Sequence, residues 1–384
     1  MADKRIRVLQ FSQLINRYDF MDVIVRNADP AQFDILACTF TKDSNIQKPE
    51  YEKDGHEHIS LDLPFNKYGF FMAIFKLARI LKRENIDIVH AHHYYEAFIS
   101  RLALLFVPDC RLVITRHYHN ELFLTTTGLK LKLYLWIEKT VNRKSCLIIS
   151  PSTQITELLR QSGVDKNKIR FIPYGFDFTG VKYKPVDFVE VRKIRNDMGV
   201  SDDGILIGNF ARHHTIKGQD LMLRSFAEIV RNQRNIRLIM IGHGPYHSEL
   251  VRLAGELGIN DFVKFLGWQK EIRPLLSSVD IVWHPTHQEA FPQIMVEAMA
   301  LSKVLCITPV SGASDVVKDG VNGYLIPFRD PVNWTSKLLS VIKDREQLRK
   351  IGQAAHDSVT TSLDINMIIN KIEGVYKEVH QKSA

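Results

Sequence analysis

Apolar residues fall into short runs rich in Val, Ile, Leu and Phe, separated by longer stretches in which they recur every three or four positions. In the first half, runs at 5–11, 34–40, 58–62, 87–92, 111–117, 146–150 and 170–173 predict strands. Most of these runs are continuously apolar rather than alternating, the pattern of a parallel sheet covered on both faces by helices. The helical stretches 66–84 and 128–144 fit such covers. A charged stretch at 179–203 interrupts the alternation, which resumes with strands at 204–211, 236–241, 263–268, 281–283 and 304–309 and helices at 220–231, 294–301 and 364–381. With 384 residues, the chain exceeds what one core usually holds, and two Rossmann-like α/β domains are expected, 1–180 and 200–360, followed by a helical end at 361–384.

The densest chemistry lies in WHPTHQEAFPQIMVEAMALS, residues 283–302. Glu289 sits in a polar turn after an apolar strand. Pro292 suits the first position of the helix that follows. That helix is apolar nearly all round except for Glu297, and a carboxylate in such a setting needs a partner or shifts its pKa. The leading N–H groups, around Gln293 and Ile294, would attract a phosphate. A structural Arg or Lys on Glu297, with Glu289 an ordinary turn residue, is the competing explanation.

Upstream, Arg212 and Lys217 are spaced R-x4-K-G after a strand, and a glycine turn, Gly242-His-Gly244, follows the next one. A guanidinium can grip phosphate oxygens with two N–H groups while an ammonium acts as a point charge. In the first half, histidine marks two strand ends, His90-Ala-His92-His93 and Thr115-Arg116-His117. Metal binding is disfavoured there, since alternate strand residues face opposite ways and no acid or Cys stands at ligand spacing. Hydrogen bonding suits these side chains better, with a structural histidine as the plain alternative.

Composition is that of an ordinary globular protein, 45% hydrophobic and 24% charged, and no run approaches the roughly 20 apolar residues that span a bilayer. The opening has only a short strand-like apolar run, so a cleaved leader is not expected. Cys38, Cys110, Cys146 and Cys306 form no C-x-x-C pair and read as buried thiols in a reducing compartment, and a cytoplasmic location is expected. The net charge of +8 changes the picture more, because residues 60–170 alone carry an excess of that size. Its carriers include Lys76, Arg79, Lys82 and Arg83 on one helical stretch and Lys130, Lys132, Lys139, Arg143 and Lys144 on another. These are either solvated outer faces or a peripheral contact with anionic lipid at the cytoplasmic face of a membrane.

The Glu289-x7-Glu297 pair after a strand and turn, the R-x4-K-G element and the strand-end T-x-H at Thr115–His117 resemble the retaining glycosyltransferases of the GT-B fold, the fourth family in the usual classification. The resemblance implies two parallel sheets facing across a cleft, with the last helix crossing back to the first domain. It implies transfer of a sugar, hexosyl or N-acetylhexosaminyl, from a nucleotide diphosphate donor to a hydroxyl of a glycan or lipid-linked acceptor, with retained anomeric configuration. A UDP-sugar is favoured over a GDP-sugar, and neither a metal, a cofactor nor a nucleic acid is implied. His117, Glu289, Lys217 and Arg212 take the catalytic positions. Gly242, Gly244, Leu266, Gln293, Ile294 and Glu297 complete the donor site, Leu266 by its main chain. Arg17, His92 and Arg116 fall on the acceptor side. The chain departs from the pattern after its first strand, where residues 12–20 hold no glycine and Arg17 stands in the loop. A nucleotide-sugar epimerase and a non-catalytic nucleotide-sugar sensor are the rival readings.

Overall fold

The computed structural model describes residues 5–13, 20–40, 54–117, 127–289 and 291–381. The chain divides into two compact units, residues 1–176 with 363–384, and residues 177–362.

Unit 1 holds seven parallel strands, β1 (Ile6–Ser12), β2 (Phe33–Thr39), β3 (His58–Ser60), β4 (Ile88–His92), β5 (Arg111–Thr115), β6 (Leu147–Ser150) and β7 (Ile169–Phe171). They lie in the order β3-β2-β1-β4-β5-β6-β7. Successive residues of each run bury on opposite faces, which is why the runs are apolar throughout. Leu9, Val89 and Leu112 pack with Ala73, Leu77 and Leu81 of the Lys67–Arg83 helix. Val8, Ile88, Val113 and Leu147 pack with Ile24 and with Ile368, Ile372 and Tyr376 of the C-terminal helix, Ile365–Gln381.

That final helix belongs to unit 1 because its apolar residues recur at helical spacing and complete one face of the first sheet. Its entry is pinned by backbone bonds from Phe176 N to the Leu363 carbonyl (2.9 Å) and from Ile365 N to the Phe176 carbonyl (3.1 Å).

Unit 2 holds six parallel strands, β8 (Ile205–Phe210), β9 (Ile236–Ile241), β10 (Val263–Gly267), β11 (Ile281–His284), β12 (Val304–Ile307) and β13 (Tyr324–Leu325), in the order β10-β9-β8-β11-β12-β13. The charged stretch at 179–203 falls within this unit. It contains the Phe188–Asp197 helix, whose first turn is capped by the Asp187 side chain. Arg195 anchors that helix to the sheet, donating to Asp280 Oδ2 (2.9 Å) and to the Gly204 carbonyl (2.8 Å). No described helix is long and apolar enough to cross a membrane.

Ile372 is wholly buried under the first sheet. Ile372→Ala is expected to destabilise unit 1 by about 2–5 kcal/mol through lost burial and the cavity left behind. Urea unfolding followed by circular dichroism checks this; an unchanged midpoint would contradict the helix's place in the core.

Candidate functional site

The sheet order of unit 2 decides which loops can cooperate. β10, β9, β8 and β11 are neighbours, so the segments leaving their carboxyl ends stand in a row. Leu266 ends the first, Gly242 and Gly244 the second, Arg212 and Lys217 the third, and Glu289 the fourth. Backbone bonds tie each to the next: Gly242 N to the Gly267 carbonyl (2.8 Å), His213 N to the His243 carbonyl (3.2 Å), and His287 N to the Ile216 carbonyl (2.7 Å). The approach is close enough to demand glycine. A Cβ on Gly242 would lie 2.1 Å from the Ala211 carbonyl oxygen, and one on Gly218, which also has φ +65°, would lie 2.3 Å from that of Pro285. Gly244 is constrained in the same way, its missing Cβ 2.3 Å from the His213 carbonyl oxygen.

Lys217 and Glu289, distant in sequence, meet in this row. Lys217 Nζ donates to Glu289 Oε1 at 2.7 Å, and His284 Nε2 donates to Glu289 Oε2, also at 2.7 Å. Burial alone would raise the Glu289 carboxyl, but the charges and hydrogen bonds of His284 and Lys217 outweigh it and hold the group at about 2. Glu289 is therefore ionised at every ordinary pH. His284 itself is buried, and its Nδ1 has no partner among the described residues. It was missed in the sequence because it closes an apolar strand and reads as part of it. Arg212 is exposed on the adjoining loop and engages no acid among the described residues.

The helix Gln293–Ala300 starts one residue later than its proline suggests. Pro292 is the N-cap, and no side chain caps the leading N–H groups. Gln293 is exposed there and Ile294 is buried. Glu297 has a structural partner that the sequence did not disclose: Lys182 Nζ lies 3.9 Å from its Oε1. At that distance the pair is poorly matched. Burial raises the Glu297 carboxyl against the pull of Lys182, and burial lowers the Lys182 ammonium against the pull of Glu297. Lys182 also lies over the Tyr183 ring, 4.7 Å from its centre.

In unit 1 the histidines of β4 and the end of β5 come together, with two corrections to the expected roles. His90 and His92 share one face of their strand, being two residues apart, and both are buried. His92 bonds through Nδ1 to His117 Nε2 (2.9 Å) and through Nε2 to Gln10 Oε1 (2.9 Å). It therefore stands behind His117 with both nitrogens engaged and has none to offer an acceptor. Arg116 is also buried, its guanidinium 3.2 Å from Glu138 Oε1 on the Gly128–Lys144 helix. Burying that guanidinium requires the carboxylate, so Arg116 holds the helix to the sheet rather than facing an acceptor. His117 is partly exposed and has a second hydrogen bond, Tyr174 Oη at 2.9 Å from Nδ1. Arg17 lies outside the described residues.

Comparison with known proteins identifies the family. A family profile described as "Glycosyl transferases group 1" matches residues 190–358, and one described as "Glycosyltransferase Family 4" matches residues 22–179. Among curated proteins, the N-acetyl-alpha-D-glucosaminyl L-malate synthase of Bacillus anthracis is 26% identical over 306 residues, 79% of this chain and 78% of that one. A D-inositol 3-phosphate glycosyltransferase of Corynebacterium efficiens is 22% identical over 353 residues, 87% of this chain and 80% of that one. Among solved structures, Alr3699/HepE of Anabaena, crystallised with UDP, superposes with a TM-score of 0.81 at 20% identity, covering 98% of this chain and 100% of that one. The chain belongs to the two-domain glycosyltransferases of the GT-B fold, group 1 and family 4 in type.

The depressed Glu289 carboxyl makes a pH-dependent prediction. Its folded value lies below the ordinary 4.5, so its contribution to stability is full above about pH 4.5 and is lost as pH falls toward 2. The difference in urea midpoint between wild type and Glu289→Gln is expected to be largest at pH 5 and to shrink toward pH 2. A difference independent of pH would contradict the ion cluster.

Proposed function

We propose that this glycosyltransferase moves a hexosyl or N-acetylhexosaminyl unit from a UDP-sugar to a hydroxyl of a glycan or lipid-linked acceptor, with the anomeric configuration retained. The observation that carries the reading is the Lys217–Glu289–His284 cluster, set at the carboxyl end of its sheet, where α/β folds take their ligands. Breaking a sugar–phosphate bond leaves a diphosphate whose negative charge grows as the bond lengthens. Fixed cations meet that charge without reorganisation. Lys217 turns from Glu289 to the diphosphate, Arg212 grips its oxygens, and the N–H groups of Gln293 and Ile294 add the positive end of a helix.

Glu289, freed and ionised, accepts hydrogen bonds from the donor sugar, Glu297 accepts them from the ribose, and the main chain at Leu266, beside Gly242, receives the base. His117 serves the reacting sugar. The departing phosphate oxygen takes the acceptor proton on the same face, so no separate carboxylate base is needed. The two cations do the work of a metal ion. The reading draws support from relatives: Anabaena Alr3699/HepE was solved with UDP-glucose as well as UDP, and the Bacillus anthracis enzyme is an N-acetyl-alpha-D-glucosaminyl L-malate synthase.

A panel of UDP-, GDP- and ADP-sugars tests this directly. Slow hydrolysis of a UDP-sugar with retained configuration by NMR is expected, in EDTA as in its absence. Interconversion of the donor would instead indicate an epimerase, and binding without turnover a sensor. Lys217→Ala and Glu289→Ala are each expected to lower kcat by about 100-fold or more, with unfolding still cooperative. Normal activity in either variant would overturn that residue's role.

The acceptor side carries a second element of the proposal, peripheral contact with an anionic membrane surface. Tyr68, Phe71 and Phe75 lie exposed along the Lys67–Arg83 helix, Phe71 and Phe75 in ring contact at 5.2 Å, with Phe106 5.5 Å from Phe75. Lys76, Arg79, Lys82 and Arg83 are exposed on the same helix. The Gly128–Lys144 helix likewise exposes Leu129, Leu133 and Trp136 among lysines. Aromatic side chains beside basic ones fit the head-group region of an anionic bilayer. The protein is expected to sediment with phosphatidylglycerol vesicles and not with phosphatidylcholine ones, and charge reversal at Lys76, Arg79 and Lys82 to release it. Equal partition to both vesicles would count against the surface.

A further inference from the structure

Among the described residues, the buried side chains behind His117 form a line of hydrogen bonds. From the C-terminal helix, Tyr376 Oη accepts from Gln10 Nε2 (2.7 Å) and contacts His90 Nδ1 (2.7 Å). His90 Nε2 continues to Thr115 Oγ1 (2.7 Å). The other end of the Gln10 amide, Oε1, reaches His92, which reaches His117, which reaches Tyr174. Gln10, His90, Thr115 and Tyr376 are wholly buried and His92 almost so. Burial depresses all three imidazoles, His90 to about 3 and His92 and His117 well below their usual range, so the line is neutral.

A neutral imidazole has one N–H and one bare nitrogen, which makes the direction of every bond follow from its neighbour. Gln10 Oε1 can only accept, so His92 carries its proton on Nε2. His92 Nδ1 is then bare and takes the proton of His117 Nε2. His117 Nδ1 is left bare, accepting from the Tyr174 hydroxyl. At the other end, Tyr376 accepts from Gln10, and its one proton finds its acceptor in His90 Nδ1, which leaves His90 Nε2 to donate to Thr115. Reversing the Gln10 amide would reverse every one of these bonds and move the His117 proton to Nδ1. The line has two settings, and Gln10 chooses between them.

We infer that Gln10 and Tyr376 are positioning residues that fix which nitrogen of His117 is bare, so that Nδ1 accepts a hydroxyl proton in place of Tyr174. The inference rests on the assignment of His117 to the reacting sugar. A sugar hydroxyl that displaces Tyr174 then finds an acceptor already set. With the opposite tautomer it would meet an N–H and would have to accept there instead of donating. The C-terminal helix thus sets the protonation pattern of a residue from which it is separated by two side chains.

The test uses full-length protein labelled with 15N-histidine, in which long-range proton–nitrogen correlation spectra distinguish the two tautomers. Wild type is expected to show His117 and His92 in a single form, protonated at Nε2. Tyr376→Phe keeps the ring and its edge contacts with His90 and Phe33 but removes the hydroxyl that orients Gln10. In that variant His117 is expected to populate both tautomers. The kcat should fall about tenfold while KM for the donor stays within twofold. Gln10→Asn, which retains the amide on a shorter arm, serves as a second variant with the same expected signature. An unchanged His117 spectrum in both variants, or His117 protonated at Nδ1 in wild type, would overturn the inference. If the tautomers mix as expected but kcat is unchanged, and His117→Ala is also fully active, the positioning stands and the assignment of His117 to the sugar is what fails.

Discussion

Lys217 and Glu289 meet across two loops that leave neighbouring strands of one sheet, and the rest of unit 2 is arranged so that they can. Both charges are partly withdrawn from water, and each helps to offset the hydration the other loses. The strand order makes the two loops adjacent, and the glycines let their backbones touch. The His284 proton fills the second oxygen of the carboxylate. The result is an ammonium and a carboxylate that neutralise one another until something else claims both, and a donor with a diphosphate at one end and hydroxyls at the other has the chemistry to do so.

Unit 1 follows a contrasting principle. Its polar cluster contains no formal charge, and specificity there comes from the ordering of protons rather than from opposed ions. Such a line is costly if broken anywhere, because each buried nitrogen would lose its only partner. The same requirement explains why a helix from the far end of the chain is packed on this sheet: it brings Tyr376, which completes the line, on the same face as the isoleucines that stabilise the core.

Much of this was legible in the sequence, for identifiable reasons. Continuous apolar runs disclosed the strands, because both faces of each sheet are covered, and the helical spacing of Ile365 to Val379 disclosed the last helix. Glu297 stood out as an acid in a nearly all-apolar helix, and Glu289 as an acid in the polar turn before it. What the sequence hid were the partners, since His284, Lys182 and Gln10 acquire their roles only through contacts made by folding. His92 and Arg116 were placed by their positions at strand ends, yet both turn inward to satisfy buried neighbours. The 179–203 stretch looked irregular because its charges dominate its composition, while the Arg195–Asp280 contact that docks its helix is long-range and leaves no local mark.

The central claim is that Lys217 is the cation a diphosphate takes, and that Glu289 restrains it beforehand. Calorimetric titration with UDP, which lacks the sugar, isolates that claim from catalysis. The account predicts that Lys217→Ala weakens UDP binding by about tenfold or more, while Glu289→Gln binds UDP at least as tightly as wild type because the ammonium no longer has to leave a carboxylate. Wild-type affinity for UDP in Lys217→Ala would contradict it.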